Sequence, residues 1–175
     1  KHNPVIEIFF ALLDLPLGRF EADRITMLLE HRPVQRRFGF LEADKEQILD
    51  WVSKLGICWG SDGTETYEVE FSVRSNYTWC AGTDRLLLGH AFGDSDRSFS
   101  GILPSMPSET DESEIVGRLR TFLEKLIQLR KNLNYARPLE DWIELAHQVL
   151  EEFFQFEQGS NEVIHLQDCL RAILK

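Results

Sequence analysis

The sequence predicts a mainly α-helical domain of about six to eight helices with a minor β-hairpin. Apolar residues recur at helical spacing through most of the 175 residues, and proline and glycine fall where these segments begin and end. Residues 67–73 instead alternate between apolar and polar side chains, which predicts one arm of a hairpin. A chain of this size buries about 70% of its extended surface, so we expect residues 1–175 to form one domain without a disulfide or metal.

Composition excludes several classes of protein. The chain has 29 acidic and 19 basic residues, a net charge of -10, and 43% hydrophobic residues. Because affinity for phosphates depends on a basic surface, the acidic balance argues against a stand-alone nucleic-acid binder. Three widely spaced cysteines suit reduced thiols, and no apolar run approaches the ~20 residues of a membrane span. We therefore expect a soluble cytoplasmic protein, and the start at Lys1 predicts a domain excised from a longer chain.

Three helices are predicted in the first third of the chain. An Asn-Pro pair opens the first, which covers residues 5–13. The second spans residues 20–31 and is expected to stop before Pro33. The third spans about residues 43–55 and places its apolar side chains on one face, and Gly56 ends it.

The middle of the chain is less regular. Residues 57–83 are predicted to form the hairpin and its turns. Thr83 or Asp84 is expected to cap a short helix that continues to about Ala91. Residues 93–113 are rich in Ser, Asp, Gly and Pro and are predicted to form a long loop.

Three stronger helices are predicted in the last third. The first covers residues 112–134, with an apolar face formed by Ile115, Leu119, Phe122, Leu126 and Leu133. The second begins at Pro138 and is expected to point Leu139, Trp142, Ala146, Val149, Leu150 and Phe153 inward. Its solvent face carries Glu140, Asp141, Glu144, Glu151 and Glu152. Ser160 or Asn161 is expected to cap the last helix, which runs through Ile173.

No motif for catalysis or cofactor binding is recognisable. There is no glycine-rich loop followed by Lys and Ser or Thr, so a phosphate-binding loop is not predicted. Cys58 and Cys80 are 22 positions apart without a nearby histidine, which does not match zinc-ligand spacing. The acidic clusters are typical of solvated helix faces. We therefore predict no catalytic, cofactor-binding or metal-binding residue and no enzyme activity for this chain.

The basic residues are scarce and gather in two stretches. Residues 118–137 carry an excess of five positive charges, and residues 19–37 an excess of two. Such stretches either contact a nucleic-acid backbone or form ion pairs with neighbouring acidic helices, and the second alternative is the more common. Arg130 falls on its helix's apolar stripe and is expected to snorkel or to meet a buried carboxylate.

The four tryptophans divide into two pairs. Trp51 and Trp142 lie at positions that face the core of predicted helices. Trp59 and Trp79 lie in turn-rich segments on either side of the predicted hairpin. An aromatic residue at such a place stacks on a base or a partner loop, or it closes the core beneath the loop, and the second is more frequent.

Six segments occur in an order that resembles a known family. They are LLDLPLGRF at 12–20, WVSKLGICWG at 51–60, TW at 78–79, GTDRLLLGHAF at 82–92, LP at 103–104 and RPLEDW at 137–142. Together they resemble the central part of the gamma chain of bacterial exodeoxyribonuclease V, the RecC subunit of the RecBCD helicase–nuclease. The resemblance extends from about Leu12 to Phe154.

The resemblance implies a fold and a set of partners. RecC resembles a superfamily 1 helicase that has lost its ATP-binding chemistry, scaffolds the RecB and RecD motors, helps to split the duplex and scans a strand for the Chi hotspot. The present segment would correspond to the helical insertion of the 2B type, without a Chi-reading role. The implied partners are RecB, RecD and DNA within the full complex, with no membrane and no cofactor.

Two functions remain as hypotheses. The first is a non-catalytic, ATPase-deficient helicase-like domain that supports DNA unwinding and recombinational double-strand-break repair through DNA and subunit contacts. The alternative is an acidic helical interaction module with no direct DNA role. A shared open groove of basic residues would favour the first, and cations paired with neighbouring carboxylates would favour the second. The candidate contact residues are Trp59, Trp79, Arg85, Arg118, Lys125 and Lys131.

Overall fold

The structure, a computed structural model, describes residues 4–58, 60, 77–93, 96–105, 112–156, 166 and 168. These residues form seven α-helices and one 3-10 helix (Leu15–Leu17), and they contain no β-strand. The α-helices are α1 (Pro4–Asp14), α2 (Ala22–Leu28), α3 (Arg32–Phe38), α4 (Glu42–Leu55), α5 (Trp79–Phe92), α6 (Ser113–Leu133) and α7 (Leu139–Phe153). The prediction of a mainly α-helical domain is confirmed for this part of the chain.

Several predicted features lie outside the described residues. They are the hairpin strand at residues 67–73, Trp59, and the cap of the last helix at Ser160 or Asn161. Within that last helix, Leu166 and Asp168 are described, and both are helical. Leu166 is buried and joins the core cluster.

The predicted helix over residues 20–31 is wrong at its C-terminal end. It ends at Leu28, and a separate helix, α3, follows with Pro33 in its first turn. The first-turn N–H groups of a helix have no intrahelical partner, so proline at this position costs no hydrogen bond. The next two amides, those of Val34 and Gln35, each donate to the His31 carbonyl at 2.9 Å. The sequence predicts that Pro33 stops a helix, whereas in the structure Pro33 lies in the first turn of α3.

The predicted cap at Thr83 or Asp84 is also wrong, because α5 begins earlier. Thr78 is the N-cap, and its Oγ1 accepts a hydrogen bond from the Ala81 amide at 3.3 Å. Thr83 lies inside the helix, fully buried, where its Oγ1 donates to the Trp79 carbonyl at 2.9 Å. Helix α5 therefore has a full additional turn at its N-terminus, which the turn-rich sequence there did not predict.

Helix α6 runs along the core, packed against α3, α5 and the 3-10 helix, while α7 packs against α3. The buried side chains of α6 are Val116, Leu119, Phe122, Leu123, Leu126 and Leu129. The predicted apolar face is confirmed at Leu119, Phe122 and Leu126, whereas Ile115 and Leu133 are only partly buried. A group of phenylalanines from three helices and a loop meets there, with the Phe38 and Phe122 ring centroids 5.0 Å apart.

The solvent face of α7 is as predicted, because its five acidic residues are all exposed. Leu139 was expected to point inward but is 53% exposed, since it occupies the first position of the helix. Arg130 is half-buried, and its guanidinium lies 5.6 Å from the centre of the buried Phe20 ring. No described helix is long and apolar enough to cross a membrane.

Candidate functional site

A groove between α3 and α6 brings the two basic stretches together. It has a volume of about 580 Å³, and we call it the α3–α6 groove. It is lined by Arg37, Phe38, Glu114, Gly117, Arg118, Thr121 and Lys125. One cation comes from the 19–37 stretch and two from the 118–137 stretch, so the groove is built by tertiary packing rather than by one segment.

The spacing on α6 explains why its residues share the groove. Glu114, Arg118, Thr121 and Lys125 follow one another at intervals of four, three and four residues, which is the spacing of one helical face. Arg118 and Lys125 are therefore two turns apart, about 10 Å along the helix axis. Arg118 and Lys125 therefore lie at separate positions along the groove, with the exposed Thr121 between them.

Arg118 is fixed by carboxylates on two sides. Its Nη1 lies 3.3 Å from Asp44 Oδ2 on α4, and its Nη2 lies 2.7 Å from Glu114 Oε2 one turn earlier. The Asp44 side chain is only 7% exposed, and the same oxygen accepts a hydrogen bond from the Leu41 amide at 2.9 Å. Because a buried carboxylate needs a compensating partner, Arg118 has a structural role on the groove wall.

Arg37 is held differently. Its Nε donates to the backbone carbonyl of Glu152 on α7 at 3.1 Å, and the residue is exposed. Its two Nη groups have no hydrogen-bond or ion-pair partner among the described residues, while the guanidinium borders the groove. Lys125 approaches the Glu152 side chain at 3.7 Å, at the long limit of an ion pair. Besides the paired Arg118, the groove therefore contains a guanidinium whose Nη donors meet no described acceptor and one loosely paired ammonium.

Gly117 forms part of the groove's floor. It lies inside a 21-residue helix, and a Cβ added to it would meet nothing within 4 Å. Thr121 donates its hydroxyl hydrogen to the Gly117 carbonyl at 2.9 Å. Glycine inside a helix costs about 1 kcal/mol relative to alanine, and no neighbour among the described residues requires that choice.

The opposite side of α6 carries a cation that contacts several acceptors. Arg120 bonds Asp84 at 2.7 Å and Glu124 at 2.9 Å, and its Nη1 also donates to Thr83 Oγ1 at 3.0 Å. Burial disfavours the charge, but the Glu124 hydrogen bond and the neighbouring negative groups outweigh it, so the pKa of Arg120 lies above its usual value. This cation joins α5 to α6.

Two of the candidate contact residues contribute to the fold. Trp79 is 0% exposed, and its Nε1 donates to the Phe20 carbonyl at 3.0 Å, which matches the core-closing interpretation. Arg85 is half-buried and donates from Nε to the Leu103 carbonyl at 3.2 Å. Its own carbonyl accepts from the Ser105 amide at 3.0 Å, so this residue ties the 96–105 segment to α5.

The remaining candidates are distributed as follows. Arg118 and Lys125 line the groove, and Lys131 is exposed near the end of α6 without an ion pair to the described residues. Trp59 lies outside the described residues. Among the described residues no cluster of His, Cys, Asp or Glu has the arrangement of a metal site. Within the described part of the chain, neither Cys58 nor Cys80 forms a disulfide.

Of the seven residues that line the groove, five were not predicted as contact residues: Arg37, Phe38, Glu114, Gly117 and Thr121. Arg37 was noticed only as part of a basic stretch, because its helix was not predicted. Gly117 and Thr121 carry no charge and looked like ordinary helix positions. The signal that could have identified Gly117 was a glycine inside a strongly periodic 21-residue helix.

Comparison with known proteins gives a consistent result. A family model described as "RecBCD enzyme subunit RecC fourth domain" matches residues 2–175. The chain is 34% identical over 154 residues to the RecC subunit of Escherichia coli K12, which covers 88% of this chain and 14% of that protein. It is 35% identical over 145 residues to RecC of Mycolicibacterium smegmatis, covering 81% of this chain and 13% of that protein. It is 26% identical over 174 residues to RecC of Haemophilus influenzae, covering 99% of this chain and 15% of that protein.

Proposed function

The chain belongs to the family of RecC fourth domains, and from that membership we propose that it is a non-catalytic part of a RecC subunit acting in DNA repair and recombination. The observation that carries the proposal is the family match over residues 2–175. The chain spans only 13–15% of the RecC proteins quoted above, so its role is that of one part of a larger subunit.

In its finer form the proposal gives the domain a mechanical role. It is an ATPase-deficient, helicase-like module of the 2B type that supports DNA unwinding and double-strand-break repair in the cytoplasm. Its contacts are with RecB, RecD and the DNA that passes through the assembled complex. The six ordered segments support this role, since together they resemble the central part of RecC. The open donors of Arg37 support a contribution to the DNA path.

The proposal is tested in full-length RecC assembled with RecB and RecD. Phe122→Asp puts a carboxylate into the apolar core, which is expected to unfold this domain because a buried unpaired charge is strongly destabilising. We expect at least a tenfold loss of ATP-dependent unwinding of linear duplex DNA, or failure of the three subunits to assemble. Gln148→Asp on the exposed face of α7 is the matched control and is expected to change neither.

Two outcomes would contradict the proposal. One is an assembled Phe122→Asp complex in which this domain is protease-sensitive but unwinding proceeds at the normal rate. The other is ATP hydrolysis by the purified 175-residue chain that a single substitution within it abolishes, because this would make the chain a catalyst in its own right.

One observation favours the alternative function. Arg118, Arg120 and Lys125 each lie within ion-pair distance of carboxylates of the same fold, while the acidic face of α7 is left exposed. In this second candidate function, α7 binds a basic protein surface and the domain makes no DNA contact. Reversing Glu140 and Glu144 to lysine would then weaken subunit association at least tenfold and leave the salt dependence of DNA binding unchanged. Unchanged association would contradict it.

A further inference from the structure

We propose that the α3–α6 groove binds the sugar–phosphate backbone of a DNA strand, with the free Nη groups of Arg37 donating to a phosphate. This inference rests on the proposed function, since it assigns a site to the DNA contact that the larger proposal includes. It concerns residues that the sequence did not single out, above all Arg37 and Gly117.

The first support is the way Arg37 is held. Its Nε donates to the Glu152 carbonyl, which holds the guanidinium beside the groove. The two Nη groups are left as donors without described partners, and a planar guanidinium matches the paired oxygens of a phosphate. Much of the entropy cost of ordering a long side chain is thus met before a ligand arrives.

The second support is the distribution of positive charge. Arg37 lies on α3 and Lys125 on α6, at separate positions on the groove, while Arg118 on the groove wall is held by Asp44 and Glu114. A single carboxylate of a protein would engage only one of these positions. A DNA strand carries a charge at every nucleotide and engages several positions at once, which favours a nucleic-acid backbone over an isolated acidic side chain.

The third support is the floor of the groove between the cations. Gly117 has no side chain and Thr121 has a short polar one, and both are exposed. The missing side chain at Gly117 weakens the helix without relieving any contact within the described structure. It does leave room for a backbone to approach α6 closely, which is a recognised use of glycine.

The character of the lining also separates DNA from an apolar partner. Phe38 is the one large apolar side chain in the lining and is itself half-buried, whereas the other large lining residues are charged. Glu114 is bound to Arg118, and Glu152 stands beside Lys125 at 3.7 Å. A ligand phosphate competes for Lys125 at little cost, because exposed ion pairs at this separation contribute little.

The first experiment compares arginine variants of full-length RecC within the assembled complex. Binding to a forked DNA with single-stranded tails is measured as a function of salt concentration. Loss of one phosphate contact in Arg37→Ala is expected to reduce the slope of log affinity against log salt by about 0.7–0.9. Arg24→Ala is the matched control and should leave the slope unchanged, because Arg24 is an exposed residue of α2 that pairs with Asp14 of α1 outside the groove. Equal slopes for Arg37→Ala and the unmodified complex would overturn the proposal.

The second experiment leaves the cations in place. A photoreactive benzoylphenylalanine replaces Thr121, and the complex is irradiated with the labelled forked DNA. We expect a crosslink to the DNA, with none from the same group at the exposed Ser53 on α4. A crosslink to RecB, RecD or another part of RecC instead would show that a protein occupies the groove and would overturn the proposal.

A third variant fills the groove. Because no described residue lies within 4 Å of a Cβ at Gly117, Gly117→Leu is expected to fold and to lower DNA affinity at least fivefold. Unchanged affinity would count against a strand in the groove. These outcomes are separable from failure of the larger proposal. If the groove variants behave normally while Phe122→Asp abolishes unwinding, the domain serves RecC through other contacts; if Phe122→Asp is also silent, both proposals fail.

Discussion

The two sides of α6 use arginine in opposite ways. Toward α5, Arg120 meets two carboxylates and a threonine hydroxyl at 2.7–3.0 Å. Toward α3, Arg37 uses one donor on a backbone carbonyl and has no described partner for its Nη groups. The same side chain thus joins two helices in one place and borders an open groove in the other. What distinguishes them is the number of acceptors that the fold brings within reach.

This difference has an energetic basis. Hydrogen bonds to charged groups contribute about 1.5–3 kcal/mol where they are partly shielded from water, whereas exposed ion pairs contribute little. Arg120 is therefore expected to matter for folding, and Arg37 to matter for binding. Both depend on the buried face of α6, where Phe122 packs against Phe38 and Phe153.

Removing that shared support should have the largest effect on stability. Phe122→Ala deletes a fully buried ring and is expected to lower the free energy of unfolding by about 3–5 kcal/mol. Urea denaturation of the 175-residue chain measures this change. Thr121→Ala, one position away on the exposed side, should change it by less than about 0.5 kcal/mol. A loss below about 1 kcal/mol for Phe122→Ala would mean that the ring is not part of a packed core.

The comparison between the two arginines gives the next largest effect. Arg120→Ala is expected to cost about 1–2 kcal/mol of unfolding free energy, because Asp84 and Glu124 lose their shared cation in a half-buried place. Arg37→Ala is expected to cost less than about 0.5 kcal/mol. The same denaturation assay checks both, and equal losses would remove the distinction between the two sides of α6.

A smaller effect of opposite sign is expected at the groove floor. Gly117→Ala should raise the free energy of unfolding by about 0.5–1 kcal/mol, because alanine is the better helix former and its methyl group meets no neighbour. Thermal unfolding of the chain would show it as a higher midpoint. A lower midpoint would indicate a close neighbour of Gly117 that the described residues do not include.

The smallest expected effect is on the pH dependence of stability, and it comes from His31, the N-cap residue of α3. Burial lowers the pKa of His31, and the charge of Glu30 opposes this more weakly. The unfolded chain then binds a proton more readily than the folded one, so stability should fall as the pH drops through about 6.5. His31→Gln should flatten this part of the profile in urea denaturation between pH 8 and pH 5.5. An identical profile in the variant would exclude His31 as its source.

The carboxyl group of Glu30 makes stability depend on pH at lower pH values. Hydrogen bonding and charge from Lys45 lower the pKa of Glu30, so the stability that this contact contributes is present above the ordinary range of a glutamate and is lost below it. The loss attributed to His31 should therefore begin at a higher pH than that of Glu30. The two steps are separable because Lys45→Gln should weaken the second, since Lys45 lowers the pKa of Glu30 and is not a cause of the lowered pKa of His31.

Local patterns predicted the fold well where local contacts decide it. The span of α4 and its end at Gly56 follow from helical periodicity and from the positive φ of 67° that glycine adopts there. The family resemblance read from six short segments is confirmed by the match over residues 2–175. The failures are local ambiguities: Pro33 both stops one helix and begins the next, and a turn-rich segment concealed Thr78 as the cap of α5.

The candidate site was predicted only in part. Arg118 and Lys125 were chosen as members of a basic stretch, and both line the groove. Trp79 was chosen for its turn-rich surroundings but is buried in the core. The sequence could not show which cations are available to a ligand, because it does not show which carboxylate each one contacts.

By itself, the sequence determined a helical domain of the RecC family with an acidic exposed face on α7, since periodicity and caps act between residues a few positions apart. Only the tertiary structure decided which cations are engaged and which are open. Arg37 bonds a carbonyl 115 positions away, and Arg118 bonds a carboxylate 74 positions away. Such contacts form only when the core has brought distant helices together, and they set the electrostatic surroundings that no local pattern specifies.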